Sequence, residues 1–242
     1  MKLSKRSISG SRFQIELPLF SFYVKYQPVG MKKKPAKRNP AETRERLVSA
    51  AVCLILSQGF SATSVDQICA EAGVTKGAFF HHFDNKDAIG LAAAQGWFDY
   101  VTAVYTEALQ SAGPDPLEQL HAFFDALENF TRDPDRLCAC VIGMLSQEMA
   151  LVHPGFQSAA AVHFTAWTEG VAKLLAAAKE KHPPVIDFDP ERVAWFINSL
   201  WQGSIVVAKA VQSAPMFHAN LRMAREWIDS FFGLPITPPK PA

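Results

Sequence analysis

From Pro40 onward, apolar residues recur every three or four positions, and this periodicity constrains the fold more than any other feature of the chain. A segment with that spacing presents one apolar stripe as a helix and scatters it as a strand. Strands would alternate apolar and polar residues and close hairpins with Asn-Gly or Asp-Gly; no sustained alternation and no such turn occurs. The chain therefore reads as all-α.

Glycine and proline cut the period into segments. The first helix is expected from about Ala41 to Ser57, with Val48, Ala51, Val52 and Ile55 on one face, Gly59 as its stop and Phe60 folding back. The next opens at "ATSVDQICAEAG", where Thr63 or Ser64 caps it and Gln67, three residues after Ser64, completes a capping box. Gly73 breaks that helix, Thr75 caps a third that ends near Phe83, and a long helix runs from about Asp87 to Ser111. Further helices are expected at 115–131, 136–151, 155–181, 190–213 and 216–232. Four units follow: a disordered basic extension (1–40), a helix-turn-helix domain (41–90), a larger helical domain (91–233) and a proline-rich disordered tail (234–242).

Charge is uneven along the chain. Residues 1–40 carry ten Lys or Arg against Glu16, whereas the remainder carries fourteen against twenty-two acids. A basic arm on an acidic body suits one end that meets phosphate. For "MKKKPAKRNP" two roles stand side by side, a DNA contact and a solubilising tail. Residues 1–30 resemble a secretory leader only until Glu16 and Pro18 interrupt "FQIELPLFSFYV", and the expectation is that translation starts at Met31. No apolar run reaches the roughly eighteen residues that a membrane helix needs, so no membrane partner is expected.

Cys53, Cys69, Cys138 and Cys140 are too few for a disulfide scaffold in 242 residues, which points to a reducing cytoplasm. Cys138 and Cys140 diverge on a helix, so a disulfide between them would be strained. Buried thiols are favoured over an electrophile sensor there.

At about 100° per residue, Phe79, His82 and Phe83 share one side of the third helix, and Lys76, Gly77, Phe80 and His81 the other. A short helix that shows a lysine, a glycine, an aromatic ring and a histidine suits the major groove. Lys86, opening the following helix, is placed to meet a phosphate. As a stretch, "TSVDQICAEAGVTKGAFFHHFDNKDAI" (Thr63 to Ile89) resembles the DNA-binding segment of the TetR family of transcriptional regulators, with the likeness extending over residues 42–90.

The resemblance implies a three-helix DNA-binding domain, a helical domain for a small-molecule effector, and a homodimer through helices near 190–213 and 216–232. It implies that Ser64 and Lys86 hold phosphates, that Thr75, Lys76, Gly77 and Ala78 face base edges, and that His81 lies near the DNA backbone. Phe80 departs from the family's usual tyrosine; the hydroxyl contact is lost, while the ring still meets a thymine methyl. "CACVIGMLSQEMA" resembles a C-L-x-G-x-L-x-Q-E pattern of a family subset, with Met144 in place of a frequent asparagine.

Trp97, Phe123, Cys140, Met144 and Trp167 are the expected effector-pocket residues, although plain core has the same composition. In "PERVAWFINSLWQGSIVVAKAV", Val193, Ile197, Leu200, Ser204, Ala208 and Val211 form a stripe beside Phe196 and Trp201, and Gly203 and Ser204 admit close helix approach. A dimer interface and an intramolecular hairpin both fit that stripe. There is no phosphate loop, nucleophile elbow or paired-histidine metal spacing; His81 and His82 splay apart, and His121, His153 and His163 read as surface or capping residues. No catalytic residue, metal or cofactor is expected. The sequence points to a cytoplasmic, dimeric repressor released from a palindromic double-stranded operator by a small molecule, ahead of a non-specific DNA coater.

Overall fold

Helix α1 (Pro40–Gln58) buries Leu47, Ala50, Ala51, Val52 and Ile55 and stops at Gly59, whose φ of 87° is the left-handed region a residue with a side chain avoids. The computed structural model describes residues 40–130 and 140–235; the basic arm, Met31, Cys138 and the end of the tail lie outside the described residues. Among the described residues there are nine helices and no strand. The chain is all-α as its period requires.

Helix α2 (Val65–Ala72) opens on a complete capping box: Ser64 Oγ accepts from the Gln67 amide at 3.2 Å and Gln67 Oε1 accepts from the Ser64 amide at 2.8 Å. Gly73 closes it at φ 63°, and the Arg46 guanidinium donates to the Ala72 and Gly73 carbonyls, fastening the turn to α1. Thr75 then caps α3 (Lys76–His82), its Oγ1 accepting from the Ala78 amide at 3.2 Å. Buried Phe79 and Phe83 anchor α3 in the core.

Helix α4 (Lys86–Ser111) starts at the Asn85 cap and runs about 39 Å, long enough to leave the first three helices and enter the larger domain. There it joins α5 (Pro116–Asn129), α6 (Val141–Met149), α7 (Pro154–Lys181), α8 (Pro190–Val211) and α9 (Ala214–Phe231). Proline stands in the first turn of α5, α7, α8 and α9, where its missing N–H costs nothing. The expected 136–151 helix begins at Val141, because Cys140 is extended and caps it. Asp115 accepts from Lys181 and His182 at 2.9 and 3.0 Å, and these hydrogen bonds, Lys181 first, hold its carboxyl well below the usual carboxylate range while tying α5 to the end of α7.

The stripe expected on α8 divides. Val193, Ile197, Ser204 and Ala208 face inward, Ser204 accepting from Asn220 of α9 at 3.0 Å, so much of it forms the hairpin with α9. Gly203 and Val211 point outward with Trp195, Phe196, Val206 and Val207. Helix α8 is apolar on two faces, and one apolar period cannot say which face meets a partner.

The two domains meet over Gly90. The Phe60 ring, from the α1–α2 turn, lies 5.1 Å from Phe156 of α7, and a Cβ on Gly90 would stand 2.6 Å from Phe60 and 2.9 Å from Phe156. Gly90→Ala gains helix propensity yet overpacks two buried rings, for a net loss of about 1–2 kcal/mol. The expected thermal midpoint is roughly 2–8 °C lower for a chain of this size. A midpoint equal to the wild type's by calorimetry would show that the junction is loosely packed.

Candidate nucleic-acid interface and effector cavity

Helix α3 presents two distinct sides. Phe79 is fully buried, whereas Lys76, Gly77, Phe80 and His81 are exposed, the Phe80 ring at 51%. A fully buried aromatic would normally be followed by polar residues on the outer side; an outward phenylalanine, standing edge-on to Phe79 at 5.1 Å, is instead available to a partner. Gly77 has almost nothing near its missing Cβ, which permits close backbone approach. Ala78 is half-buried beside it.

The expected phosphate and base contacts carry existing partners. Ser64 and Thr75 spend an acceptor lone pair on their caps and keep their hydroxyl protons to donate. Lys76 pairs with Asp66 of α2 at 2.9 Å, an exposed ion pair worth about 0–1 kcal/mol that phosphate can displace. Lys86 donates to the Ser61 carbonyl at 3.2 Å and lies over the Phe60 ring at 4.5 Å, so it braces the α1–α2 turn from within its own domain.

That turn is also held from the larger domain. Glu148 of α6 accepts from the Phe60 amide at 3.1 Å and the Ser61 amide at 2.6 Å. Burial works against its charge, but hydrogen bonds from Ser61 and Phe60, with Lys86 nearby, outweigh it and hold the carboxyl below its ordinary range. His153 of the α6–α7 turn lies 3.6 Å from Asp87 of α4. A carboxylate in "SQEMA" thus straps the helix-turn-helix to α6, a role with no local sequence signal because its partners lie 87 and 88 residues away.

The other end of α6 borders a cavity of about 50 Å³. Helix α4 contributes Trp97, Phe98, Val101 and Tyr105; α7 contributes His163, Phe164 and Trp167; α8 contributes Asn198, Trp201 and Gln202; Cys140 and Ile142 close one side with Phe130. Trp97, Cys140 and Trp167 thus line one cavity. Phe123 is not at the cavity: it packs behind it, 5.1 Å from Tyr105 and 5.7 Å from Trp167, because α5 lies outside α4 and α7. Met144 is also displaced, about 200° around α6 from Ile142. It lines a second recess of about 170 Å³ with Gly143, Gln147, Glu148 and Lys209.

His163, expected at the surface or as a cap, is buried. It is 6% exposed and stacks on Phe98 at 4.7 Å, whereas His153 caps α7 and His121 pairs with Asp229 at 2.8 Å. Burial pushes the His163 imidazole pKa down, with Asp99 opposing. Its neighbour Asn198 is equally buried, donating to Thr168 Oγ1 at 2.9 Å. No described cysteine forms a disulfide, and Cys140 is buried with its Sγ at 3.4 Å from the Gly143 amide. Among the described residues no group of three or more metal-ligating side chains occurs, and no helix is long and apolar enough to cross a membrane.

Comparison with known families places both halves of this arrangement. Residues 47–93 match the model of bacterial regulatory proteins of the tetR family, and residues 116–224 match the tetracyclin repressor-like C-terminal domain. The chain belongs to the TetR family. Among TetR-family relatives, it is 27% identical over 201 residues to the transcriptional regulator AcuR of Cereibacter sphaeroides, covering 81% of this chain and 92% of that one. The repressor DhaR of a Mycobacterium species is 28% identical over 69% of this chain and 82% of its own. A TetR regulatory protein from Rhodobacter sphaeroides, solved by crystallography, superposes with a TM-score of 0.69 at 28% identity, covering 78% of this chain and 98% of that one. These relatives are regulators rather than enzymes, and the TetR-family chain described here is a DNA-binding transcriptional regulator.

Proposed function

We propose that the protein is a cytoplasmic homodimeric repressor that leaves a palindromic operator when a small molecule enters the α4–α8 cavity. The outward face of α3 carries this reading: Lys76, Gly77, Phe80 and His81 stand on a helix whose opposite side is locked by Phe79. Thr75, Lys76, Gly77 and Ala78 meet base edges in the major groove, Phe80 packs on a thymine methyl, and Ser64, His81 and Lys86 lie along the phosphates. Repression rather than activation is supported by DhaR, a repressor by name. Two copies joined through α8 and α9 set the distance between two such helices, and operator half-sites must match that distance.

Release follows from α6, which touches the cavity at Ile142 and the DNA-binding domain at Glu148. A ligand that swells the cavity displaces α6 and with it the strap on the α1–α2 turn, favouring a half-site spacing that the operator does not fit.

The test is fluorescence anisotropy with DNA from the region upstream of the protein's own gene against shuffled DNA of equal length, at near-physiological salt. The wild type is expected to prefer the upstream fragment, and Lys76→Ala with His81→Ala to weaken binding by on the order of 100-fold, about one to two contacts in each half-site. Equal and steeply salt-dependent binding to both DNAs, unchanged in the double variant, would mean that α3 does not read sequence.

A further inference from the structure

We infer that the α4–α8 cavity takes a small uncharged aromatic molecule with one hydrogen-bonding group, seated against the ring of His163. The inference rests on the proposed effector role of this cavity and adds the chemical class of the occupant.

The walls are aromatic. Trp97, Phe98, Phe164, Trp167 and Trp201 offer flat faces and edges, which favour another ring in stacked or edge-on contact. No Asp, Glu, Lys or Arg is among the lining residues, so an ion entering the cavity would lose its water and find no counter-charge. An uncharged occupant pays no such penalty.

Several polar groups stand in that wall, and His163 is the most deeply buried of those that make no hydrogen bond among the described residues. His163 is 6% exposed, its ring face is covered by Phe98, and among the described residues its ring nitrogens make no hydrogen bond. Packing alone would be served better by Phe or Leu, since a buried polar group without a partner costs more than its hydrogen bond returns. Burial keeps the imidazole neutral near pH 7, in which state it offers one donor and one acceptor. Asn198 Nδ2 is committed to Thr168 at 2.9 Å. A hydroxyl on the occupant would pair with the imidazole.

Size limits the occupant and links it to release. About 50 Å³ is well below the ~150 Å³ that accommodates a benzene ring in a protein core. A single ring therefore enters only if lining side chains swing outward, and Ile142 on α6 is among them. Larger charged or multi-ring molecules require rearrangements that this wall does not provide for.

Three tryptophans line the cavity, so intrinsic fluorescence reports occupancy directly. Para-cresol, toluene and benzoate would be titrated at pH 7.5 into wild type, His163→Phe and His163→Gln, with operator release followed by anisotropy in parallel. The wild type is expected to bind para-cresol about tenfold more tightly than toluene, the factor for one hydrogen bond, and benzoate most weakly. His163→Phe should remove the para-cresol advantage and leave toluene within about threefold, whereas His163→Gln, which keeps a donor and an acceptor, should retain part of it. Benzoate binding as tightly as para-cresol, a preference indifferent to His163→Phe, or no binding by any of the three would overturn the inference. Binding that follows His163 but never releases DNA would leave the inference standing and defeat the effector reading instead.

Discussion

Phe196→Asp combined with Val207→Asp is expected to split the proposed dimer into monomers in sedimentation velocity at micromolar concentration and to abolish tight operator binding. Phe196 is 47% and Val207 50% exposed, and they share the outer side of α8 with Trp195, Val206 and Val211. Met223 and Trp227 of α9 continue the patch, with the Trp227 ring 4.9 Å from Phe196. At the centre lies Gly203, with no atom within 4 Å of where its Cβ would be, leaving room for a second helix to cross closely. A contiguous apolar surface of this kind on two adjacent helices is the composition of an isologous interface.

The magnitude follows from charge. Four carboxylates would be buried in one two-fold interface without partners, each costing several kcal/mol. Association should weaken by more than about 1,000-fold. Each half-site would then be bound separately, and the second binding event would lose its effective concentration. A variant that sediments as the wild type does, with unchanged operator affinity, would assign dimerisation to another surface.

Glu148→Ala is expected to destabilise the protein by about 1–3 kcal/mol, two charge-assisted hydrogen bonds discounted for partial exposure. Phe60 and Ser61 would lose their acceptor from α6, and the α1–α2 turn would keep the Lys86 brace and its own internal bonds from Gln58 and Thr63. Because the Glu148 carboxyl is held below its ordinary pKa, its contribution is present in full above the unfolded value of about 4.3 and is lost as pH falls through the folded value beneath it. Urea melts should therefore separate the two proteins clearly at pH 7 and bring them together toward pH 3. Operator affinity should fall about tenfold while the dimer stays intact, since a DNA-binding domain without its strap must be ordered on binding. Equal melts at pH 7 and equal operator affinity would remove Glu148 from the coupling route, leaving α4 alone to carry it.

Much of the DNA-binding half was legible because its rules are local. Ser64 with Gln67 and Thr75 with Ala78 are caps that complete themselves within three residues, and Gly59 and Gly73 stop helices by their own backbone freedom. The two sides of α3 follow from seven residues at a fixed angle, and Phe79 buried with Phe80 exposed is the result. The TetR-family resemblance drew on that same segment.

The effector half resisted in proportion to how far apart its partners lie. Aromatic composition grouped Phe123 with Trp97 and Trp167, yet only the order in which α5, α4 and α7 stack puts Phe123 behind the cavity wall. His163 looked like a surface residue because nothing beside it in the chain foretells Phe98 on its ring face. The α8 stripe misled for the same reason, since a helix apolar on two faces has no preferred partner until its neighbours are in place.

By itself the sequence determined the all-α class, the helix caps of the DNA-binding half and the outward residues of α3, since each depends on backbone angles and side chains within one or two turns. Only the tertiary structure decided which apolar face of α8 stays open, that Glu148 crosses to the DNA-binding domain, and that the His163 imidazole is buried against Phe98 in an aromatic cavity. Those outcomes come from burial and hydrogen bonding between segments dozens of residues apart, and no local spacing encodes a contact whose two halves meet only after the chain has folded.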